Sequence, residues 1–347
     1  VSRARKQYLP NTVYEVTRRT TQGRYLLLPT DDCRLLVLGV LARALLAFPT
    51  VQLHAFVYLS NHVHMLLSST CAQTIPEFLW FVNRTISVEI GELFDWPGTF
   101  WEGRAEPIPV VDDDALIRRL RYLLSNGCKE GLVGSPIEWP GASAVAGLLG
   151  DMTLTGITYD RDAMRAARRK GPVDPADFAR TIQLELAPIP PWRDLPAAEL
   201  RARHRSLVDE IEVETARNHE RNGTRPAGKA AILSYSPHYR PPPLERTPRP
   251  QCHSTVAALR RAFAAARREF DRAYDAAAER LRKLARRARR GTERPPRFDV
   301  TFPPGCFPPA LPFVPPPNEG LTSGPAGGLG ALLSEYRPPG TRAGPPD

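Results

Sequence analysis

Proline decides where this chain can build regular structure and where it cannot. A proline lacks a backbone N–H and fixes φ, so it ends helices and is kept out of central strands. Of 37 prolines in 347 residues, nine fall in residues 1–150 and 28 in residues 151–347. The first part can hold uninterrupted strands and helices, and the second must alternate them with extended or irregular segments, so a domain boundary is expected near residue 150. Charge divides at the same place. Residues 1–150 carry 14 basic and 14 acidic side chains and the remainder carries 33 and 23, which puts the whole formal charge of +10 in the second part. A basic extension on a neutral unit suits an anionic polymer, because each phosphate contact releases counterions whatever the sequence. A solvated Arg-rich surface is the plain alternative.

Composition also removes several classes. The five cysteines, Cys33, Cys71, Cys128, Cys252 and Cys306, are odd in number and far apart, which indicates neither a disulfide framework nor a CxxC zinc site. The longest apolar run, residues 35–48, is interrupted by Arg43 and is too short to span a bilayer. Val-Ser-Arg-Ala-Arg-Lys at the start has no apolar stretch behind it, so no secretory leader is read. The expectation is a cytoplasmic protein associated with the nucleoid and no membrane partner.

Along the first part, residues 12–17 read as a strand and residues 31–48 as a helix with acids at its start and Pro49 at its end. Residues 51–59 and 62–68 read as two strands joined by the two-residue turn Ser60-Asn61. Thr74 and Glu77 have the spacing of a capping box before a helix to about residue 94, and Trp96-Pro97-Gly98 breaks it. Residues 99–111 are strand-like, and Asp112-Asp113-Asp114 opens a last helix to about Cys128. The order β-α-β-β-α-β-α predicts an α+β, ferredoxin-like antiparallel sheet with helices on one face. Beyond it, residues 151–237 read as a helical accessory region, with a short helix and Pro-rich breaks to 195 and a helix over 196–222. A Pro-rich linker over 238–253 precedes a long basic helix over 254–290, and residues 291–347 form a Pro/Gly-rich tail in which Phe302, Phe307 and Phe313 are the docking candidates.

Asn61-His62-Val63-His64-Met65-Leu66-Leu67 carries the chemistry. Side chains alternate on a strand, so His62 and His64 point the same way with backbones about 7 Å apart. Two imidazoles can hold a divalent cation only with a third ligand. Tyr122 and Asn126, four residues apart on one helical face, offer a phenol and a hard amide oxygen. A lone His-x-His is otherwise a structural pair, and a lone helical tyrosine a core residue.

These residues resemble the single-tyrosine HUH-nuclease transposases, particularly the REP-associated tyrosine transposase family. The resemblance also runs through Tyr14-Glu15-Val16-Thr17, Leu53-His54-Ala55-Phe56, Phe100-Trp101-Glu102-Gly103-Arg104, Gly131-Leu132-Val133 and Trp139, and covers residues 8–145 in outline. It implies that His62, His64 and Asn126 ligate Mg²⁺ or Mn²⁺ and that Tyr122 attacks single-stranded, hairpin-containing DNA. Cleavage then gives a 5′-phosphotyrosine intermediate and a 3′-hydroxyl that can rejoin it, as DNA transposition and recombination require. Enzymes of the family often work as dimers, so the resemblance allows a homodimer. Glu15 stands where the family often has His, Ser60 where it has Pro, and Ala105-Glu106 where a Lys is expected, differences that bear on DNA affinity and target choice. Arg104 and Trp101 are DNA-binding candidates, with Arg18, Arg19, Arg260, Arg267, Arg268, Arg286 and Arg287 beside them. His54 is expected to pack in the sheet on the parity of Phe56 and Tyr58. The rival reading is a catalytically inactive relative that binds hairpin DNA or RNA, and a third is hydrolysis by metal-activated water.

Overall fold

Four strands make one antiparallel sheet: β1 (Val13–Arg19), β2 (Val51–Leu59), β3 (His62–Ser69) and β4 (Glu106–Val110), in the order β2-β3-β1-β4. α1 (Asp31–Ala47) links β1 to β2 and α2 (Thr74–Leu93) links β3 to β4, which is the split βαβ arrangement read from the element order. This computed structural model describes residues 6–242, 249–289 and 300–306. β2 and β3 meet across Ser60 and Asn61 as expected. α1 starts where Thr30 accepts a hydrogen bond from the Cys33 N–H, with Asp31 and Asp32 at the positive end of the helix.

Three boundaries differ from expectation. Thr74 lies one residue inside α2, so the capping box does not form; its hydroxyl instead bonds the Cys71 carbonyl at 2.8 Å and joins Ser69 and Thr50 in a hydroxyl cluster. β4 begins at Glu106 rather than 99, because the loop runs on through Gly103, whose φ of 78° glycine adopts without strain. The final helix breaks at Ser125, whose hydroxyl donates to the Tyr122 carbonyl at 2.9 Å, giving α3 (Asp113–Leu124) and α4 (Asn126–Lys129). α3 lies against the histidine face of the sheet, whereas Val63 and Met65, on the opposite face, are only 1% exposed.

α1 is apolar almost all round, and a helix of that kind needs cover on both sides. After α5 (Val145–Leu149), its second cover is a hairpin of β5 (Leu154–Tyr159) and β6 (Ala179–Leu184) enclosing α6 (Arg161–Arg168). The hairpin stands where the sequence suggested only a short helix and breaks. The Gly39 backbone of α1 rests on Ile157 and Gly156, with no space for a Cβ at either glycine. α7 (Ala197–Asn222), read as 196–222, buries Leu207, Val208 and Ile211 and packs on α3, α4 and α5. α8 (Gly228–Leu233) follows, and α9 (Ala257–Arg289) is the long basic helix expected over 254–290. One compact unit runs to residue 278 and takes in 301–306; a second starts at 279, within α9. Most of the tail, with Phe307 and Phe313, lies outside the described residues, and Phe302 packs on Tyr274 with ring centroids 5.2 Å apart.

Candidate active site

His62 and His64 project from one face of β3 with ring centroids 5.3 Å apart. His62 Nδ1 lies 2.7 Å from the Asn61 side-chain oxygen, and His64 Nδ1 lies 3.2 Å from Glu15 Oε1. An acceptor at Nδ1 draws the proton there and leaves the Nε2 lone pair open, which is the form of imidazole that ligates a metal. Burial, with His64 and Arg19 adding repulsion, lowers the His62 pKa to about 3, so this ring is neutral near pH 7.

α3 brings the ring of Tyr122 to 5.7 Å from that of His64. The Arg119 guanidinium and the Lys129 ammonium lie 3.9 and 4.1 Å from the centre of the tyrosine ring. They come from one turn before and two turns after Tyr122, so the break at Ser125 leaves all three on one side. Both set positive charge within cation–π distance of the ring. Asn126, 3% exposed, donates its amide N–H groups to the carbonyls of Tyr122 and Leu123 at 2.9 and 3.1 Å, and its side-chain oxygen takes no part in these bonds. Two histidines and the tyrosine are thus brought together, with Asn126 fixed to the tyrosine's own backbone. Among the described residues, no group of three or more His, Cys, Asp and Glu is arranged to hold a metal ion.

Sequence reasoning missed the group behind His64. Glu15 is 1% exposed and its Oε1 also meets Arg119 at 2.5 Å. Its Oε2 lies 2.7 Å from His253 Nε2, close enough to pair but off the line of a hydrogen bond. Burial alone would raise the Glu15 pKa, but His253, His64 and Arg119 together hold it far below the usual carboxylate range. The one signal for Glu15 lay in the register: β1 pairs Thr17 with His64, so Glu15 shares that face two residues along. His253 had none, because it arrives from a segment that pairs beside β4 through His253 N–H to the Pro109 carbonyl and Val111 N–H to the His253 carbonyl.

The DNA-binding candidates fare unequally. Trp101 is a core residue, 6% exposed, its indole N–H on the Asn83 carbonyl and its ring packed by Arg18 and Phe100, so no open ring face is left for a base. Arg18 is drawn inward to the Gly103 carbonyl, and burial lowers its pKa to about 10. Arg19 is half-buried opposite His62, whereas Arg104 is exposed. On α9, Arg267 meets Asp271 and Arg260 donates to the Ser254 carbonyl, while Arg268, Arg286 and Arg287 are exposed. His54 leaves the parity of Phe56 and Tyr58: a bulge between Leu53 and Ala55 turns it to Ser68 Oγ at 2.9 Å and the Ala187 carbonyl at 3.1 Å. No described helix is long and apolar enough to cross a membrane.

No protein-family model matches the chain, and no curated protein matches it. Among solved structures it is similar to a REP-associated tyrosine transposase bound to a REP hairpin, at 15% identity and a TM-score of 0.38 over 43% of this chain and 86% of that one. It is also similar to a candidate transposase from Deinococcus radiodurans R1, at 18% identity and a TM-score of 0.26 over 35% of this chain and 93% of that one.

Proposed function

We propose that this chain is a transposase-type single-strand DNA endonuclease that cleaves hairpin-containing DNA through Tyr122 and can rejoin it. The observation that carries the reading is a row of three rings: His62 beside His64, each with an oxygen at Nδ1, and His64 beside Tyr122. His62 and His64 would offer Nε2, and Asn126 its amide oxygen, to Mg²⁺ or Mn²⁺. The cation, when bound, supplies positive charge to the scissile phosphate and lowers its resistance to an anionic nucleophile. Arg119 and Lys129 stand beside the ring, so two cations are near the negative charge that develops at the attacking oxygen and phosphate.

The tyrosine oxygen attacks phosphorus and gives up its proton to solvent. A phosphorus–oxygen bond forms as the bond to the 3′-oxygen breaks, and the 3′-oxygen leaves with the electron pair and takes a proton from solvent. The products are a 5′-phosphotyrosyl strand and a 3′-hydroxyl. One ester replaces another, so the hydroxyl can attack the link and reseal DNA with no outside energy source. Exposed arginines on α9 would add sequence-independent affinity.

The test is a labelled single-stranded hairpin oligonucleotide incubated with the full chain and Mn²⁺. A covalent adduct is expected, and its complete loss in Tyr122→Phe. Retention of the oligonucleotide without adduct in both proteins would establish the binding-protein reading instead, and cleavage that survives in Tyr122→Phe would establish hydrolysis by water.

A further inference from the structure

The carboxylate of Glu15 is the most heavily engaged buried charge in the described structure, and no step of the proposed reaction uses it. A buried carboxylate is tolerated only when its partners replace the lost water. Here they come from three distant parts of the chain: His64 on β3, Arg119 on α3, and His253 beyond residue 249. Left to itself, the stronger partner would prevail, since a guanidinium and a carboxylate prefer to meet through both oxygens. That arrangement would turn Oε1 away from His64. In the structure His253 stands against Oε2 at 2.7 Å, and Oε1 lies between Arg119 and His64.

The position of His253 is fixed by its backbone. On one side of it, Arg249 pairs with Glu106. At His253 itself, the two main-chain hydrogen bonds beside β4 are 2.8 and 3.0 Å long. Just beyond, the Thr255 N–H and hydroxyl both bond the Asp112 carboxylate, at 2.9 and 3.0 Å. Asp112 is the residue that caps α3, so one carboxylate ties this segment to the helix that carries Tyr122.

We infer that Glu15 and His253 are positioning residues of the metal site: Glu15 holds His64 with its proton on Nδ1 and Nε2 outward, and His253 holds Glu15. The segment after residue 249 thereby completes a centre otherwise built from residues 13–129. The inference rests on reading His62 and His64 as metal ligands, and the experiment separates the two.

Mn²⁺ alone is titrated into the full chain, with the free ion followed by electron paramagnetic resonance, and folding of each variant checked by circular dichroism. The wild type binds one Mn²⁺ and His62→Ala loses it. Glu15→Gln and His253→Ala weaken binding by about 10-fold or more, the low end of the range for residues that orient metal ligands. His253→Gln recovers most of the affinity, because its amide nitrogen reaches the place of Nε2 and can donate to Oε2; a role in filling space alone would not be rescued by that N–H more than by His253→Leu. Folded Glu15→Gln and His253→Ala that bind as tightly as wild type, while His62→Ala does not bind, overturn the inference and leave the proposed function standing. A wild type that binds no Mn²⁺, or a His62→Ala that binds as well, overturns both. Should Glu15→Gln fail to fold, the comparison of His253→Ala, His253→Gln and His253→Leu decides.

Discussion

The β2–β3 and β5–β6 hairpins share one kind of backbone pairing and differ in everything that follows from it. β2 and β3 are joined by two residues and set His62 and His64 on a face that α3 closes with Tyr122. β5 and β6 are separated by residues 160–178 and press their backbone on α1. The histidine pair sits two residues apart on one strand, so little entropy is lost in bringing the two rings together. The longer hairpin covers what the sheet leaves exposed. The two regions meet at His54, which spans from Ser68 of β3 to the Ala187 carbonyl just after β6.

If the second hairpin is a buttress, crowding it should cost stability and spare the chemistry. Gly39→Leu drives a side chain into the Ile157 backbone, which cannot give way as a flexible side chain would. The expected loss exceeds about 3 kcal/mol, the upper end for overpacking, read from the urea midpoint. A variant of unchanged midpoint would mean that β5–β6 is not docked there.

The junction is expected to respond to pH. Burial lowers the pKa of His54 to about 4, and that of His204, a buried histidine on α7, also to about 4, against 6.5 for an unperturbed histidine. Between pH 6.5 and 4 the unfolded chain then binds more protons than the folded one, so stability falls as the pH drops through that window and levels off below it. Each histidine contributes on the order of 3 kcal/mol across it. His54→Gln should shallow the slope of stability against pH by one histidine's share; an unchanged slope would show that His54 does not remain neutral in the fold.

The smallest effect is expected at Asp112. Asp112→Ala removes the cap of α3 and both bonds to Thr255, for a loss of about 1–2 kcal/mol. Hydrogen exchange should find the amides of His253 and Thr255 less protected while those of β2 and β3 keep their protection. Equal loss in both regions would mean that the segment and the sheet open together.

What could be read in advance follows the same division. The bounds of β2 and β3, the His62–His64 face and the order of the first seven elements depend on neighbours in sequence, through alternation and a two-residue turn. The β5–β6 hairpin depends on pairing across 19 residues, which no local pattern records, although the almost wholly apolar surface of α1 was a sign that something covered it. The split at Ser125 was invisible because a serine inside a helical pattern reads the same whether or not its hydroxyl turns back on the chain. Trp101 was a candidate for stacking on a base, against the usual fate of an aromatic residue at a strand end, and the loop folds it into the core onto Asn83. Glu15 read as a departure from the family pattern and lies behind His64, a placement that needed the β1–β3 register, and His253 needed the whole fold.

The convergence of the histidine face and Tyr122 is tested most directly by finding which residue becomes joined to DNA. After reaction of the full chain with a single-stranded hairpin oligonucleotide and Mn²⁺, proteolysis and mass spectrometry should locate the retained nucleotide on Tyr122. A nucleotide on any other residue, or cut DNA with an unmodified protein, would contradict the account.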